Sequence, residues 1–214
     1  MSYAVKEIYY TLQGEGFHAG KAAVFLRFTG CNLWNGLEKD RGTGSGGCSA
    51  WCDTDFVGTD GTAGGVYKTP EQLAATVAST WRGNSDQQPF VVCTGGEPLL
   101  QLDEPLLEAL HSNGFYVAVE TNGTRQVPQG VDWVCVSPKP GPPVVVREGD
   151  ELKLVVPQPS MDPAALEGWR FKHFFLQPLD DADRDANMKW AVEYCLRHPK
   201  WRMSIQSHKV LGVA

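Results

Sequence analysis

Short apolar runs alternate along this chain with helical patterns, and nearly every run ends in polar residues and glycine. The candidate strands are residues 22–28, 90–93, 116–120, 133–136, 152–156, 174–177 and 202–206. They read as near-continuous apolar stretches, as strands buried on both faces of a parallel sheet do. Three helices are predicted between them. Thr69-Pro70-Glu71-Gln72 supplies an N-cap, a first-turn proline and a capping-box glutamine ahead of Leu73, Val77 and Trp81. Asp103 caps a second helix through Leu106, Leu107 and Leu110, which stops at Asn113-Gly114. The third, residues 184–197, places Met188, Ala191, Val192 and Cys195 on one face. Strand–helix alternation predicts a parallel α/β architecture, and 214 residues suit a single domain, 1–214.

The run ends carry the chemistry. Thr29-Gly30-Cys31, Thr94-Gly95-Gly96-Glu97, Thr121-Asn122-Gly123, Ser137-Pro138-Lys139, Gln177-Pro178-Leu179-Asp180 and Ser207-His208-Lys209 each follow a candidate strand. In a parallel barrel such ends meet at one face, where ligands bind. A net charge of −6, with 19 Lys and Arg against 25 Asp and Glu and no basic run, argues against a nucleic-acid partner. No apolar stretch reaches the ~18 residues of a membrane span. The start, MSYAVKE, lacks an apolar signal core behind a basic region, so a cytoplasmic protein is expected. In that compartment six cysteines point to metal binding or catalysis rather than disulfides.

Cys31, Cys48 and Cys52 form C-x16-C-x3-C within a glycine-rich, loop-like insertion over residues 32–66. Cys93, Cys135 and Cys195 lie inside apolar patterns and read as small buried hydrophobes. A structural zinc site closes with four ligands, and the fourth would have to be His18 or a distant residue. A disulfide would leave one thiol over. An iron–sulfur cluster with three thiolates leaves one iron for a ligand. The cysteines alone leave zinc and iron–sulfur open.

What separates them is Thr94-Gly95-Gly96-Glu97-Pro98 directly after the 90–93 run. Two glycines at a strand end let a ligand touch backbone, and Glu97 adds an acceptor for a cation. Three loop thiolates followed by GGEP resemble the radical S-adenosylmethionine superfamily. The resemblance implies an abbreviated parallel (β/α) barrel and a 4Fe–4S cluster on Cys31, Cys48 and Cys52. It also implies contact between Gly95-Gly96-Glu97 and the methionine amino group, and Trp51 beside the adenine.

Tyr10-Thr11-Leu12-Gln13-Gly14-Glu15-Gly16, Arg27-Phe28-Thr29-Gly30-Cys31-Asn32-Leu33-Trp34 and Cys52-Asp53-Thr54-Asp55 narrow this further. With Glu120-Thr121-Asn122-Gly123 and Gln206-Ser207-His208-Lys209 they are similar, over essentially the whole chain, to the 7-carboxy-7-deazaguanine synthase family of the queuosine pathway. The resemblance implies a lyase that turns 6-carboxy-5,6,7,8-tetrahydropterin into 7-carboxy-7-deazaguanine and ammonia. It uses S-adenosylmethionine, the cluster and Mg²⁺, with an electron donor such as flavodoxin or ferredoxin, usually as a homodimer. Leu12, Gln13, Gly14, Glu15, Arg27, Thr94, His208 and the carboxylate of Ala214 would bind the pterin. Trp51, Cys52, Asp53, Gly96, Ser137, Pro138, Lys139, Gln177, Pro178, Leu179 and Asp180 would bind S-adenosylmethionine, and the Thr54 hydroxyl would ligate Mg²⁺.

The chain departs from the pattern at one place. The superfamily loop is C-x3-C-x2-C and a family variant has C-x14-C-x2-C, so the final gap here holds one residue more. That puts the placement of Cys48 in question. Two alternatives stay open at this level. One is an activase that makes a glycyl radical on a partner protein; the other is a non-catalytic, zinc-stabilised binding module.

Overall fold

The computed structural model describes residues 2–84, 86–158 and 160–213. Its strands are β1 (Tyr3–Leu12), β2 (Ala22–Phe28), β3 (Gly65–Tyr67), β4 (Phe90–Gly95), β5 (Tyr116–Thr121), β6 (Trp133–Val136), β7 (Glu148–Val156), β8 (Arg170–Pro178) and β9 (Trp201–Met203). The helices are α1 (Pro70–Thr80), α2 (Glu104–Ser112), α3 (Pro163–Leu166), α4 (Arg184–Arg197) and α5 (Ser207–Leu211). All strands join one curved sheet in the order β3-β1-β2-β4-β5-β6-β7-β8-β9. From β2 through β9 every neighbouring pair is parallel, while β1 runs antiparallel to β2 and β3.

Period-two alternation sorts the strand side chains into two layers. Outward, Val24, Leu26, Val91, Cys93, Val117 and Val119 pack under α1 and α2. Leu152, Leu154 and Val156 do the same with Leu166, Ala191 and Trp201. Inward, Ala23, Phe90, Val92, Ala118, Trp133 and Cys135 form a smaller cluster. The N-terminal ends of the strands are plugged by aromatic rings: Phe17 stacks on His173 at 4.3 Å, and His18 meets Trp133 at 4.4 Å and Phe90 at 5.0 Å. The interior is therefore closed by rings at the floor and open at the C-terminal mouth.

The sheet's edge strands are β3 and β9, so the barrel is abbreviated. The β1–β2 loop spans the opening. Gly16 N donates to Ser204 Oγ at 2.9 Å, Gln206 Nε2 to Glu15 Oε1 at 3.0 Å, and Ser207 N to Gly14 O at 2.9 Å. A loop and the chain's last turns do the work of missing strands.

Several sequence expectations shift. β1, absent from the predicted set, mixes buried Tyr3, Val5 and Ile8 with Lys6 and Glu7, and its apolar pattern breaks at a bulge between Val5 and Glu7. β9 begins at Trp201 and ends at Met203, so Ser204 and Gln206 leave the sheet and bond the β1–β2 loop, while Ile205 stays exposed. Trp81 caps α1 from outside the helix, with φ −63° and ψ 133°. Val192 is 39% exposed; α4 buries Asn187 and Ala191 instead, because the Asn187 amide reaches back to Leu179 O and Asp181 at 3.0 Å. The 32–66 insertion holds 3₁₀ turns at Glu38–Asp40 and Gly47–Ala50 and gives its last residues to β3.

Asp103 joins two levels of this fold. Its carboxylate accepts from Leu106 N at 3.1 Å as the α2 cap and from the Tyr3 hydroxyl at 2.7 Å. Asp103→Ala removes the cap and leaves a part-buried hydroxyl without its acceptor. A loss of about 2 kcal/mol is expected in urea unfolding, against a few tenths for removing an exposed carboxylate.

Candidate active site

The C-terminal mouth holds two adjoining cavities. The first is lined by Cys31, Cys48, Trp51, Cys52, Gly95, Gly96, Ser137, Lys139 and Gln177. The second is lined by Leu12, Gln13, Gly14, Arg27 and His208. They share Glu15, Asp53, Thr54, Thr94, Glu120 and Gln206 as a common wall. The fold thus brings together residues far apart in sequence. Ala214 lies outside the described residues.

Cys31 follows β2 across Gly30, whose φ of +84° suits glycine. Cys48 lies in the Gly47–Ala50 3₁₀ turn, and Cys52 N donates to Cys48 O at 2.8 Å from just beyond it. That bond closes a turn around Ser49-Ala50-Trp51 and fixes the two cysteines relative to one another. This is how the extra residue in C-x3-C is absorbed. Gly47 N donates to Pro140 O at 2.9 Å, and Arg41 donates to Cys52 O at 3.2 Å, so the loop is pinned from both sides.

All six cysteines are free thiols. Burial pushes the Cys48 thiol up to about 11, with the Lys139 ammonium opposing, and burial also raises Cys31. Cys48 is further raised by Cys52 and Cys31, and Cys31 by Glu97 and Cys52, and all three thiols line one cavity. Such a set favours a multivalent cationic centre that keeps the thiolates deprotonated. Among the described residues, no group of three or more His, Cys, Asp and Glu is gathered to hold a single ion. A cluster makes a different demand, taking each thiolate on a different iron. The donor set fits an iron–sulfur cluster.

The glycines of Gly95-Gly96 have a reason beyond ligand access. A Cβ on Gly96 would collide with Gly30 O and lie 2.8 Å from Cys31 Cβ, and one on Gly95 would strike Phe28 O. Gly95 also has φ +133°. The β4 end can lie against the cysteine-bearing β2 end because neither residue has a side chain.

Glu97 corrects its expected role. Its carboxylate is wholly buried and turned into the protein. Oε1 accepts from Leu99 N at 3.0 Å and Thr121 Oγ1 at 2.7 Å, and Oε2 accepts from Asn122 N at 2.8 Å. Burial raises its pKa against these donors. The side chain is a strut tying the β4 and β5 ends, not an acceptor offered to a cation. Asn122 in turn donates to Asn32 Oδ1 at 3.1 Å, next to Cys31.

Of the other expected cofactor residues, Ser137 and Lys139 face the first cavity; Lys139 Nζ donates to Ser137 Oγ at 2.6 Å and stands 5.5 Å over the Trp51 ring. Pro138 is buried beneath them, its carbonyl 3.4 Å from Gln158 Nε2, and lines neither cavity. Pro178, Leu179 and Asp180 border a small side recess with Trp51, Asp53 and Gln177. Lys209 bridges Asp180 at 2.7 Å and Asp53 at 3.1 Å, linking α5 to the cluster loop.

On the other side, Arg27 donates to Glu7 Oε1 and the Tyr9 hydroxyl, both at 2.8 Å, while lining the second cavity. Gly14 is required because any Cβ there would overlap the His208 imidazole. Gln13 Nε2 donates to Glu120 Oε1 at 3.0 Å, and its carbonyl accepts from Glu15 N at 3.1 Å. Sequence reasoning assigned no role to Glu120, Lys153, Gln206 or Lys209. For Lys153 a signal existed: a lone lysine inside Leu152–Val156, at an inward position of an otherwise apolar strand.

An abbreviated parallel barrel with three mouth thiols, a glycine pair packed on them and an aromatic ring alongside defines a radical S-adenosylmethionine enzyme. Comparison with protein-family models finds no match. The chain is 58% identical over 213 residues to a 7-carboxy-7-deazaguanine synthase from Caulobacter vibrioides, covering 100% of both chains. It is 56% identical to one from Bradyrhizobium diazoefficiens, also over 100% of both. The crystal structure of QueE from Escherichia coli superposes with a TM-score of 0.71 at 29% identity, covering 97% of this chain and 95% of that one. The chain belongs to the 7-carboxy-7-deazaguanine synthase family.

Gly96→Ala tests the close approach at the mouth. The variant is expected to fold but to take up less than about a tenth of the wild-type cluster on anaerobic reconstitution, read as iron per chain and visible absorbance. An overpacking cost of about 1–3 kcal/mol at the cysteine loop would suffice for that loss.

Proposed function

We propose that this radical S-adenosylmethionine lyase acts on 6-carboxy-5,6,7,8-tetrahydropterin in the second cavity, releasing 7-carboxy-7-deazaguanine and ammonia. The observation that carries this reading is the common wall: the thiol-lined and acceptor-lined cavities meet along Glu15, Thr94 and Glu120, so two ligands would lie side by side. Held by Cys31, Cys48 and Cys52 and reduced, the cluster would supply the electron for reductive cleavage of S-adenosylmethionine, the chemistry that would let hydrogen be taken from the pterin.

The chain's own residues bind, orient and exclude water. Cys31, Cys48 and Cys52 hold the cluster. Trp51 offers a flat apolar face, and the Gln177–Asp180 turn lies alongside it at the side recess. Gln13, Glu15 and Glu120 face the amino and ring N–H groups of a pterin with acceptor oxygens, and Leu12 and Gly14 shape the wall beside them. Arg27 retains guanidinium donors for a carboxylate, a charge-assisted contact. His208, held over Gly14, covers the cavity from α5. Thr54 lines both cavities, and its hydroxyl suits Mg²⁺, which keeps waters and takes one or two protein oxygens with substrate oxygens. The charge would stabilise oxyanion character during ring contraction.

Reduced thiolates and a strongly reducing cluster suit a cytoplasmic setting with a flavodoxin or ferredoxin as donor. A homodimer is proposed with it; exposed Leu196, Val210 and Leu211 at 78%, 71% and 58% leave apolar surface for such a contact. The rival reading, an activase acting on a protein loop, demands a wide cleft, whereas here the β1–β2 loop and α5 close over the second cavity.

Anaerobic enzyme incubated with dithionite, S-adenosylmethionine and the carboxypterin is expected to form a deazapurine of the product's mass. Unchanged pterin with intact cluster and cleaved S-adenosylmethionine would defeat the reading. Arg27→Met is expected to raise KM for the pterin by roughly 10- to 100-fold, as loss of a hydrogen bond to a charged group costs about 1.5–3 kcal/mol. Thr54→Ala is expected to lower the Mg²⁺-stimulated rate roughly tenfold while leaving cluster content unchanged.

A further inference from the structure

Lys153 is 3% exposed and stands in the middle of β7, facing inward. Its ammonium meets Glu15 Oε2 at 2.8 Å and Glu120 Oε2 at 2.7 Å. These carboxylates come from opposite sides of the barrel, one from the β1–β2 loop and one from β5, and both form the wall between the two cavities. Their remaining oxygens are also arranged: Gln206 Nε2 holds Glu15 Oε1 at 3.0 Å, and Gln13 Nε2 holds Glu120 Oε1 at 3.0 Å.

Two carboxylates in a half-buried pocket cannot both stay ionised without a counter-charge, since burial and mutual repulsion each favour taking up a proton. A protonated carboxyl presents a donor where the bound molecule also presents donors, which is a mismatch. We propose that Lys153 is a positioning residue for the reaction: by bridging Glu15 and Glu120 it keeps both as acceptor-only carboxylates, held apart, to receive the N–H edge of the pterin. The inference rests on the pterin reading above and deepens it.

The surrounding charges are consistent. Burial alone would raise the Glu15 carboxyl, but the Lys153 ammonium reverses this and, with Gln206 and His208, holds it at about 2. Burial lowers the Lys153 ammonium's pKa, yet Glu120, Glu15, Cys135 and Glu151 together raise it well above its ordinary value. Glu151 faces it from two residues earlier in β7, Cys135 from β6 and Lys139 from beyond β6, while His208 of α5 acts on Glu15. Lys153 supplies a positive charge that two carboxylates touch directly.

The test compares Lys153→Arg, Lys153→Gln and Lys153→Met with wild type in pterin turnover as a function of pH. Cluster content and thermal melting are measured alongside. Wild type and Lys153→Arg are expected to show parallel profiles of kcat/KM on the acid side. Lys153→Gln and Lys153→Met are expected to gain a new limb that falls roughly tenfold per pH unit as pH drops through the neutral range, because one carboxylate now binds a proton there. KM should carry more of the change than kcat. Gln offers uncharged N–H donors in place of the ammonium, so it separates charge from polarity and covers the case in which Met does not fold. A Lys153→Gln profile parallel to wild type overturns the inference while leaving the pterin reading intact. A wild type that cleaves S-adenosylmethionine but never converts the pterin overturns both.

Discussion

The contact on which the mouth of this barrel depends is the one between Gly95-Gly96 and residues 28–31. Parallel neighbours β2 and β4 lie a fixed distance apart, and ordinary side chains at their ends would push the following loops outward. With no Cβ at two successive positions, the β4 end folds down until Glu97 N bonds Gly30 O at 2.9 Å. That brings the cysteine loop over the sheet rather than beside it. Glu97 then reaches the β5 end, Asn122 reaches Asn32, and the chain of contacts returns to Cys31. The ring is closed by neutral and charge-assisted hydrogen bonds, each modest alone, that become costly to break because the groups are buried.

Below the mouth the interior changes character with depth. The floor is aromatic, the centre holds the Lys153 ion pairs, and the top is lined by thiols and backbone. Such a gradient explains why a buried lysine is tolerated. Its desolvation is compensated by two close carboxylates with further donors on their free oxygens, the condition under which a buried ion pair holds together. Leaving any one of the three alone would be expensive, so the group stands or falls as a unit. An apolar replacement would pack as well but would not present two oriented acceptors.

Much of this was legible in the residues. Apolar runs located the parallel strands β2 and β4–β8, because strands buried on both faces have no polar alternation to blur them. Capping chemistry at Thr69 and Asp103 placed α1 and α2, and both side chains accept the expected N–H, from Gln72 and Leu106. The three loop cysteines stood out because no apolar pattern explained them. What escaped was set by tertiary contact. β1 is amphipathic and bulged, so it lacked the buried-strand signature. Glu97 looked like a ligand and proved to be a strut, since sequence order does not reveal which way a side chain turns after a tight glycine pair. Lys153 was hidden in the opposite sense: its neighbours predict a core strand, and its partners lie 138 and 33 positions away in the chain.

The abbreviated sheet gives these observations a common cause. A complete barrel would close its interior with strands, whose inward positions recur every second residue and whose spacing is fixed. Here the space beside β9 is filled by the β1–β2 loop and α5, which follow no such repeat. Irregular backbone can offer both its peptide groups and its side chains to one cavity, as Gln13, Gly14 and Glu15 do in three consecutive residues. Strand ends and the loop that follows β2 place the glycines and thiols on one wall; the β1–β2 loop, with Arg27 and Glu120 from strands, supplies polar groups on the other. Lys153 joins the two, since it is a strand residue whose charge sets the state of a loop carboxylate. The two cavities thus share a wall about one side chain thick, built from loop and strand together.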